Sequence, residues 1–82
     1  MAHEFFTTPQ FEKQLNKYDK RLKRIVIKKM EKIIEKPLLG KPLHKPLQNY
    51  RSERVEKLRI IYTIKEGKVC FVYLQHRKKV YR

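Results

Sequence analysis

Two periods divide the chain. From Phe11 to Ile34 apolar residues recur at helical spacing, and from Leu58 to Leu74 they follow the alternation of strands. "HEFFTT" reads as a short first strand, aromatic and threonine-rich before a breaker. Thr8-Pro9 reads as an N-cap followed by proline at the first helical position. Phe11, Leu15 and Tyr18 then form one helical stripe. Asp19 caps a second helix, whose apolar face is Leu22, Ile25, Val26, Met30, Ile33 and Ile34, with Lys and Arg on the other side. Pro37 ends it. The two helices follow with almost no gap, which suggests a helical hairpin.

"KPLLGKPLHKPLQN" holds three prolines and one glycine and repeats a Pro-Leu step. It reads as a loop whose leucines pin it to the body. Beyond it "YRSERV" is a short polar strand and "LRIIYTI" a clear one, with Leu58, Ile60, Tyr62 and Ile64 on one side. Glu66-Gly67 is a hairpin turn signal, and "KVCFVYLQH" is the last strand. Both of these later strands are apolar on both faces near their middles, as central strands are. The expected class is α+β in the order β-α-α-β-β-β: two N-terminal helices packed on one face of an antiparallel sheet. With 82 residues and no internal gap, residues 1–82 are expected to form a single domain.

Charge changes the picture. Lys and Arg number 22 against 8 acids, a formal net charge of +14, while the hydrophobic fraction stays at an ordinary 40%. The expected partners are polyanions: nucleic acid, an acidic protein or an anionic surface. No stretch approaches the roughly 18 apolar residues of a membrane span, and "MAHEFFTTPQF" lacks the pattern of a signal peptide. The single cysteine, Cys70, suits a reducing cytoplasm and reads as a small strand hydrophobe. The helical lysines (Lys20, Lys23, Lys28, Lys29, Lys32, Lys36) suit a solvated outer face, with contact to a polyanion or partner as the alternative.

The sheet arginines invite a sharper reading. A hairpin centred on Glu66-Gly67 would set Arg59 near Leu74, with His76 and Arg77 just past the paired region. One end of the sheet would collect Arg54, Lys57, Arg59, His76, Arg77, Lys78 and Tyr81, with Arg51 on the neighbouring strand. Like charges gathered so closely cost free energy unless an anion joins them, and guanidinium groups hold phosphate oxygens with paired hydrogen bonds. Tyr81, and Tyr50 beside it in kind, could stack on an exposed base. The alternative is a solvated sheet edge whose cations discourage edge-to-edge pairing. Other chemistries are poorly supplied. Glu53 and Glu56 suit salt bridges better than acid–base work. His3, His44 and His76 lie far apart, no Cys/His pair has metal-ligand spacing, and two glycines make no phosphate cradle. No metal, and no small-molecule cofactor, is expected.

The layout, the stretch "GKPLHKPLQNYRSERVEKLRIIYTI" and the ending "HRKKVYR" resemble the RelE/ParE superfamily of bacterial and archaeal toxins, most closely the RelE branch. The resemblance covers nearly the whole chain and is strongest from Lys41 to Arg82. It implies a microbial ribonuclease-like fold, with two N-terminal helices on a curved antiparallel sheet. It also implies a toxin that enters the ribosomal A site and cuts mRNA by metal-free attack of a ribose 2′-hydroxyl on the adjacent phosphate. By that resemblance Arg59 would bind the scissile phosphate and Arg77 would stabilise the transition state. Tyr81 would stack on or orient the base, and Arg54 would hold phosphate. Arg51, Lys57 and Lys78 would add phosphate contacts. The family's best-studied branch carries lysines on the strand that reads "YRSERV" here, one of them a general base. Arginine is a poor base, so Lys57 or His76 would substitute, with His76 favoured for its ordinary titration range; a structural histidine at a strand end is the alternative. The implied partner is an acidic, RelB-like antitoxin, and the implied targets are mRNA and the ribosome.

Two rivals stand beside that expectation. ParE-type toxins share the fold, bind DNA gyrase and cut nothing; Arg77 and Tyr81 argue for the RelE branch. A non-catalytic RNA- or ribosome-binding module is the other.

Overall fold

The computed structural model describes residues 4–42 and 49–76. The elements run β1 (Phe5–Thr7), α1 (Pro9–Leu15), α2 (Lys20–Glu35), a 3₁₀ turn (Pro37–Leu39), β2 (Lys41–Pro42), β3 (Tyr50–Val55), β4 (Leu58–Lys65) and β5 (Lys68–His76). Both helices start where their caps dictate. The Thr8 hydroxyl accepts from the Phe11 N–H with Pro9 opening the helix, and the Asp19 carboxylate accepts from the Leu22 N–H. α2 ends one residue before the Lys36–Pro37 step, where proline excludes the helical conformation of its predecessor.

The strands form one sheet in the order β1-β5-β4-β3-β2. The β2–β3, β3–β4 and β4–β5 pairs are antiparallel, and β1 joins the edge parallel to β5. The expected all-antiparallel sheet is therefore mixed at one edge. The reason is connectivity: the helices carry the chain from one edge to the other, and successive hairpins then step back until β5 lies beside β1. Glu66 and Gly67 both have positive φ, 52° and 78°, as a two-residue I′-type hairpin turn requires.

The core lies between the helices and one sheet face. Phe11, Val26, Met30, Ile33 and Ile34 meet Val55, Leu58, Ile60, Tyr62, Val69, Phe71 and Leu74. Phe71 is its aromatic hub, with ring centroids 5.6 Å from Phe11, 5.9 Å from Phe5 and 6.2 Å from Tyr62.

Of the leucines expected to pin the Pro-Leu loop, Leu38 does not. Leu38 is 69% exposed. The anchor is Tyr62, whose hydroxyl donates to the Pro37 carbonyl at 2.6 Å and accepts from the Gly40 N–H at 3.0 Å. Gly40 is required there, because a Cβ would stand 2.2 Å from the Tyr62 hydroxyl. Leu43 and Leu47 lie outside the described residues.

Candidate functional site

Residues directly opposite on neighbouring strands share a face of the sheet. Leu58, Ile60 and Tyr62 face the helices, so Arg59, Ile61 and Thr63 face the other way. The register then builds this outer face in rows. Arg54, Arg59 and Gln75 form one; Ser52, Ile61 and Tyr73 the next; Tyr50, Thr63 and Cys70 the third. Arg54 and Arg59 are direct cross-strand partners, one exposed and one half-buried. Among the described residues no carboxylate forms an ion pair with either. The ion pairs present are Arg21–Glu56 at 3.3 Å, Lys29–Glu53 at 3.7 Å and Lys68–Glu4 at 3.7 Å. Glu53 and Glu56 thus serve as salt-bridge partners, as their setting suggests. Two cations placed opposite one another without an acid disfavour the free fold and favour an anion between them. Lys57 lies exposed in the turn joining the two arginines' strands.

A β-bulge decides what else joins the row. Ile61 pairs with Tyr73 and Tyr62 with Phe71, which leaves Val72 as an extra residue in β5. One inserted residue flips every side chain beyond it to the opposite face. Leu74 turns into the core, Gln75 turns out beside Arg59, and His76 stands opposite Leu58, on the helix side. The expected neighbour of Arg59 was Leu74, and His76 was expected past the paired region beside the arginines. The register corrects both. Two residues of the first helical segment hold the bulge. The Thr8 hydroxyl donates to the Val72 carbonyl at 2.5 Å, and the Thr8 N–H donates to the Phe71 carbonyl. Past the end of β1, the Gln14 side-chain amide replaces a strand: it donates to the Leu74 carbonyl at 2.8 Å and accepts from the Leu74 N–H at 2.7 Å. No local signal in the sequence marks a bulge at Val72, so none places Gln75 and Tyr73 on this face.

Arg51 is also placed differently. It pairs with Tyr62, on the helix side, and its guanidinium donates to the carbonyls of Gly40 at 2.8 Å and Leu38 at 3.4 Å. That makes it a tie between β3 and the 3₁₀ turn, remote from the Arg54–Arg59 row in facing. Cys70 is buried, and burial pushes its thiol up from its ordinary value, with Lys65 opposing, which leaves a poor nucleophile at neutral pH. Arg77, Lys78 and Tyr81, and with them His3 and His44, lie outside the described residues. Among the described residues no group of three or more His, Cys, Asp or Glu could hold a metal, and no helix is long and apolar enough to cross a membrane.

Known proteins share this chain's sequence and fold. The sequence profile of the ParE toxin of the type II toxin–antitoxin system parDE matches residues 5–81. A protein of Methanocaldococcus jannaschii assigned as toxin RelE4 is 31% identical over 72 residues, covering 84% of this chain and 77% of that protein. The RelBE2 toxin–antitoxin complex of Mycobacterium tuberculosis contains a chain with a TM-score of 0.83 and 25% identity, covering 94% of this chain and 100% of that one. An archaeal RelE–RelB complex from Pyrococcus horikoshii gives a TM-score of 0.77 at 16% identity, over 98% of this chain and 100% of the other. Sequence profile, relative and fold agree, and the chain belongs to the RelE/ParE superfamily as a toxin of a type II toxin–antitoxin system.

Proposed function

We propose that the chain is an endoribonuclease that cuts mRNA on the ribosome and so stops translation. The observation that carries this is the Arg54–Arg59 pair, set side by side on the outer face with no acid ion-paired to it among the described residues. In the reaction the ribose 2′-oxygen attacks the adjacent phosphorus and the bond to the 5′-oxygen breaks. The 2′-hydroxyl proton goes to a base, and the leaving 5′-oxygen takes a proton. Products are a 2′,3′-cyclic phosphate and a 5′-hydroxyl. Arg59 and Arg54 hold the phosphate oxygens and stabilise the charge of the pentacoordinate state. His76 faces away, so the base is assigned to Lys57, on the turn between the two arginine strands. Arg77 is assigned to the transition state and proton donation, and Tyr81 to the base, on the family resemblance alone. Lys78 adds a phosphate contact by the same argument. The partner is an acidic antitoxin, in keeping with a net charge of +14 and with relatives crystallised as RelE–RelB complexes.

The test is a cell-free translation reaction on a defined mRNA, with RNA ends mapped by primer extension. Wild type should cut within translated codons, and only with ribosomes present. Arg59→Ala should cut about a hundredfold more slowly, and Arg77→Ala/Tyr81→Ala should not cut. Intact mRNA in the presence of folded wild-type protein would reject the proposal. The matching ParE profile favours one second reading, a gyrase-inhibiting toxin without nuclease activity. Inhibition of gyrase supercoiling by a chain that leaves mRNA whole would establish it.

A further inference from the structure

The crest of α2, away from the sheet, is built against its own stability. Lys20, Arg24 and Lys28 are exposed and follow one another at i, i+4, i+8, where like charges repel. The first turn holds no acid, and the Asp19 carboxylate just before it serves as the N-cap, accepting from the Leu22 N–H. Lys23 completes the cluster, and Glu31 borders it. None of these four cations is ion-paired among the described residues; α2's pairs, Arg21–Glu56 and Lys29–Glu53, run from its flanks to the strands. In the middle of the cluster stands Ile27, 43% exposed where the helical period calls for a polar residue. Lys20, Lys23, Arg24, Ile27, Lys28 and Glu31 together line a shallow groove.

We propose that this crest is a docking surface for an acidic amphipathic segment of a partner protein, which sets apolar side chains on Ile27 and carboxylates on Lys20, Arg24 and Lys28. Charge complementarity selects the acidic partner, and the apolar centre selects an amphipathic protein segment over a run of RNA phosphates, which are charged and gain nothing from an isoleucine. The surface is separate from the Arg54–Arg59 row. It rests on the antitoxin partnership proposed above only for the source of the segment.

The probe is a synthetic helical peptide of about 16 residues, with leucines at every third or fourth position and glutamates elsewhere. A scrambled peptide of the same composition and a single-stranded RNA serve as controls. All are titrated into the full chain by fluorescence anisotropy and by methyl NMR. The amphipathic peptide should bind at least about tenfold more tightly than the scrambled one and shift the Ile27 methyl signal, and Ile27→Glu should abolish that difference. Arg24→Glu should weaken the peptide and raise the Tm of the free chain, since it relieves the repulsion along the crest. Equal affinity for both peptides would overturn the proposal. So would an Ile27 signal that moves with RNA and not with peptide, which would mark a nucleic-acid surface, or a lowered Tm in Arg24→Glu. Ile27→Glu leaves the arginine row intact, so mRNA cleavage should survive it. A chain that binds the peptide and cuts no mRNA would sink the nuclease reading alone.

Discussion

The two faces of the sheet use the same three strands for opposite purposes. On the helix side, Val55, Leu58, Ile60, Tyr62, Phe71 and Leu74 are buried against α1 and α2, and the polar atoms there are paired. On the outer side, Arg54, Arg59, Gln75, Ser52, Tyr73, Tyr50 and Thr63 surround a short apolar middle of Ile61 and Cys70. The first face lowers the free energy of the isolated chain. The second leaves an Arg–Arg pair facing outward, which is favourable only with an anion present. The contrast teaches that stability and recognition are separated by side-chain parity along a single strand. Substitutions on the two faces should therefore give opposite phenotypes.

The largest effect is expected at the aromatic hub. Phe71→Ala removes the ring that touches Phe5, Phe11 and Tyr62 and should cost about 3–5 kcal/mol in urea unfolding. A loss below 1 kcal/mol would break the claim that this face carries the fold. Tyr62→Phe keeps the ring and deletes the hydroxyl, which leaves the Gly40 N–H and the Pro37 carbonyl without their partner, at a cost of about 1–3 kcal/mol.

The same face predicts alkaline behaviour. Burial raises the Tyr62 phenol above its ordinary 10.0 and the Cys70 thiol above its ordinary 9.0. The folded chain then holds these protons at pH values where the unfolded chain has lost them. Their contribution is full below pH 9.0 and shrinks as pH rises through the ordinary values toward the raised ones. Tm should fall on that limb, and the fall should be shallower in Tyr62→Phe. An unchanged slope would remove Tyr62 as its source.

Thr8→Ala comes next, at about 0.5–2 kcal/mol, because it deletes both the α1 cap and the bond to Val72. Its sharper readout is amide exchange in β5, where protection should fall around the bulge. Smallest in stability is Arg54→Ala, within about 0.5 kcal/mol of wild type, yet mRNA cleavage should drop. A variant that melts early and still cuts would show that the outer row serves the fold instead.

How much of this was legible follows from the range of each interaction. Thr8, Pro9, Asp19, Pro37 and Glu66-Gly67 act on backbone within a few residues, so caps, helix ends and the last hairpin could be read directly. The helix stripes and the alternation of β4 likewise announced which residues are buried, and the pairing of Arg54's strand with Arg59's followed from a short turn. The bulge was not legible: the residues around Val72 alternate no differently from an unbroken strand, and what holds the bulge is Thr8, 64 residues away. That single insertion moved His76 off the arginine face and brought Gln75 onto it.

Arg51 teaches the same point. By sequence it is one more cation on a polar strand, and only the folded turn supplies the Gly40 carbonyl that engages it. The elements, the helix face of the sheet and the cationic character of the molecule are written in the residues themselves, because they depend on local backbone preferences and on composition. The parallel edge made by β1, the register beyond Val72 and the facing of Arg51, Arg54 and Arg59 arise only once the chain is folded. Those depend on contacts between segments distant in sequence, and a shift of one residue in a strand reverses them.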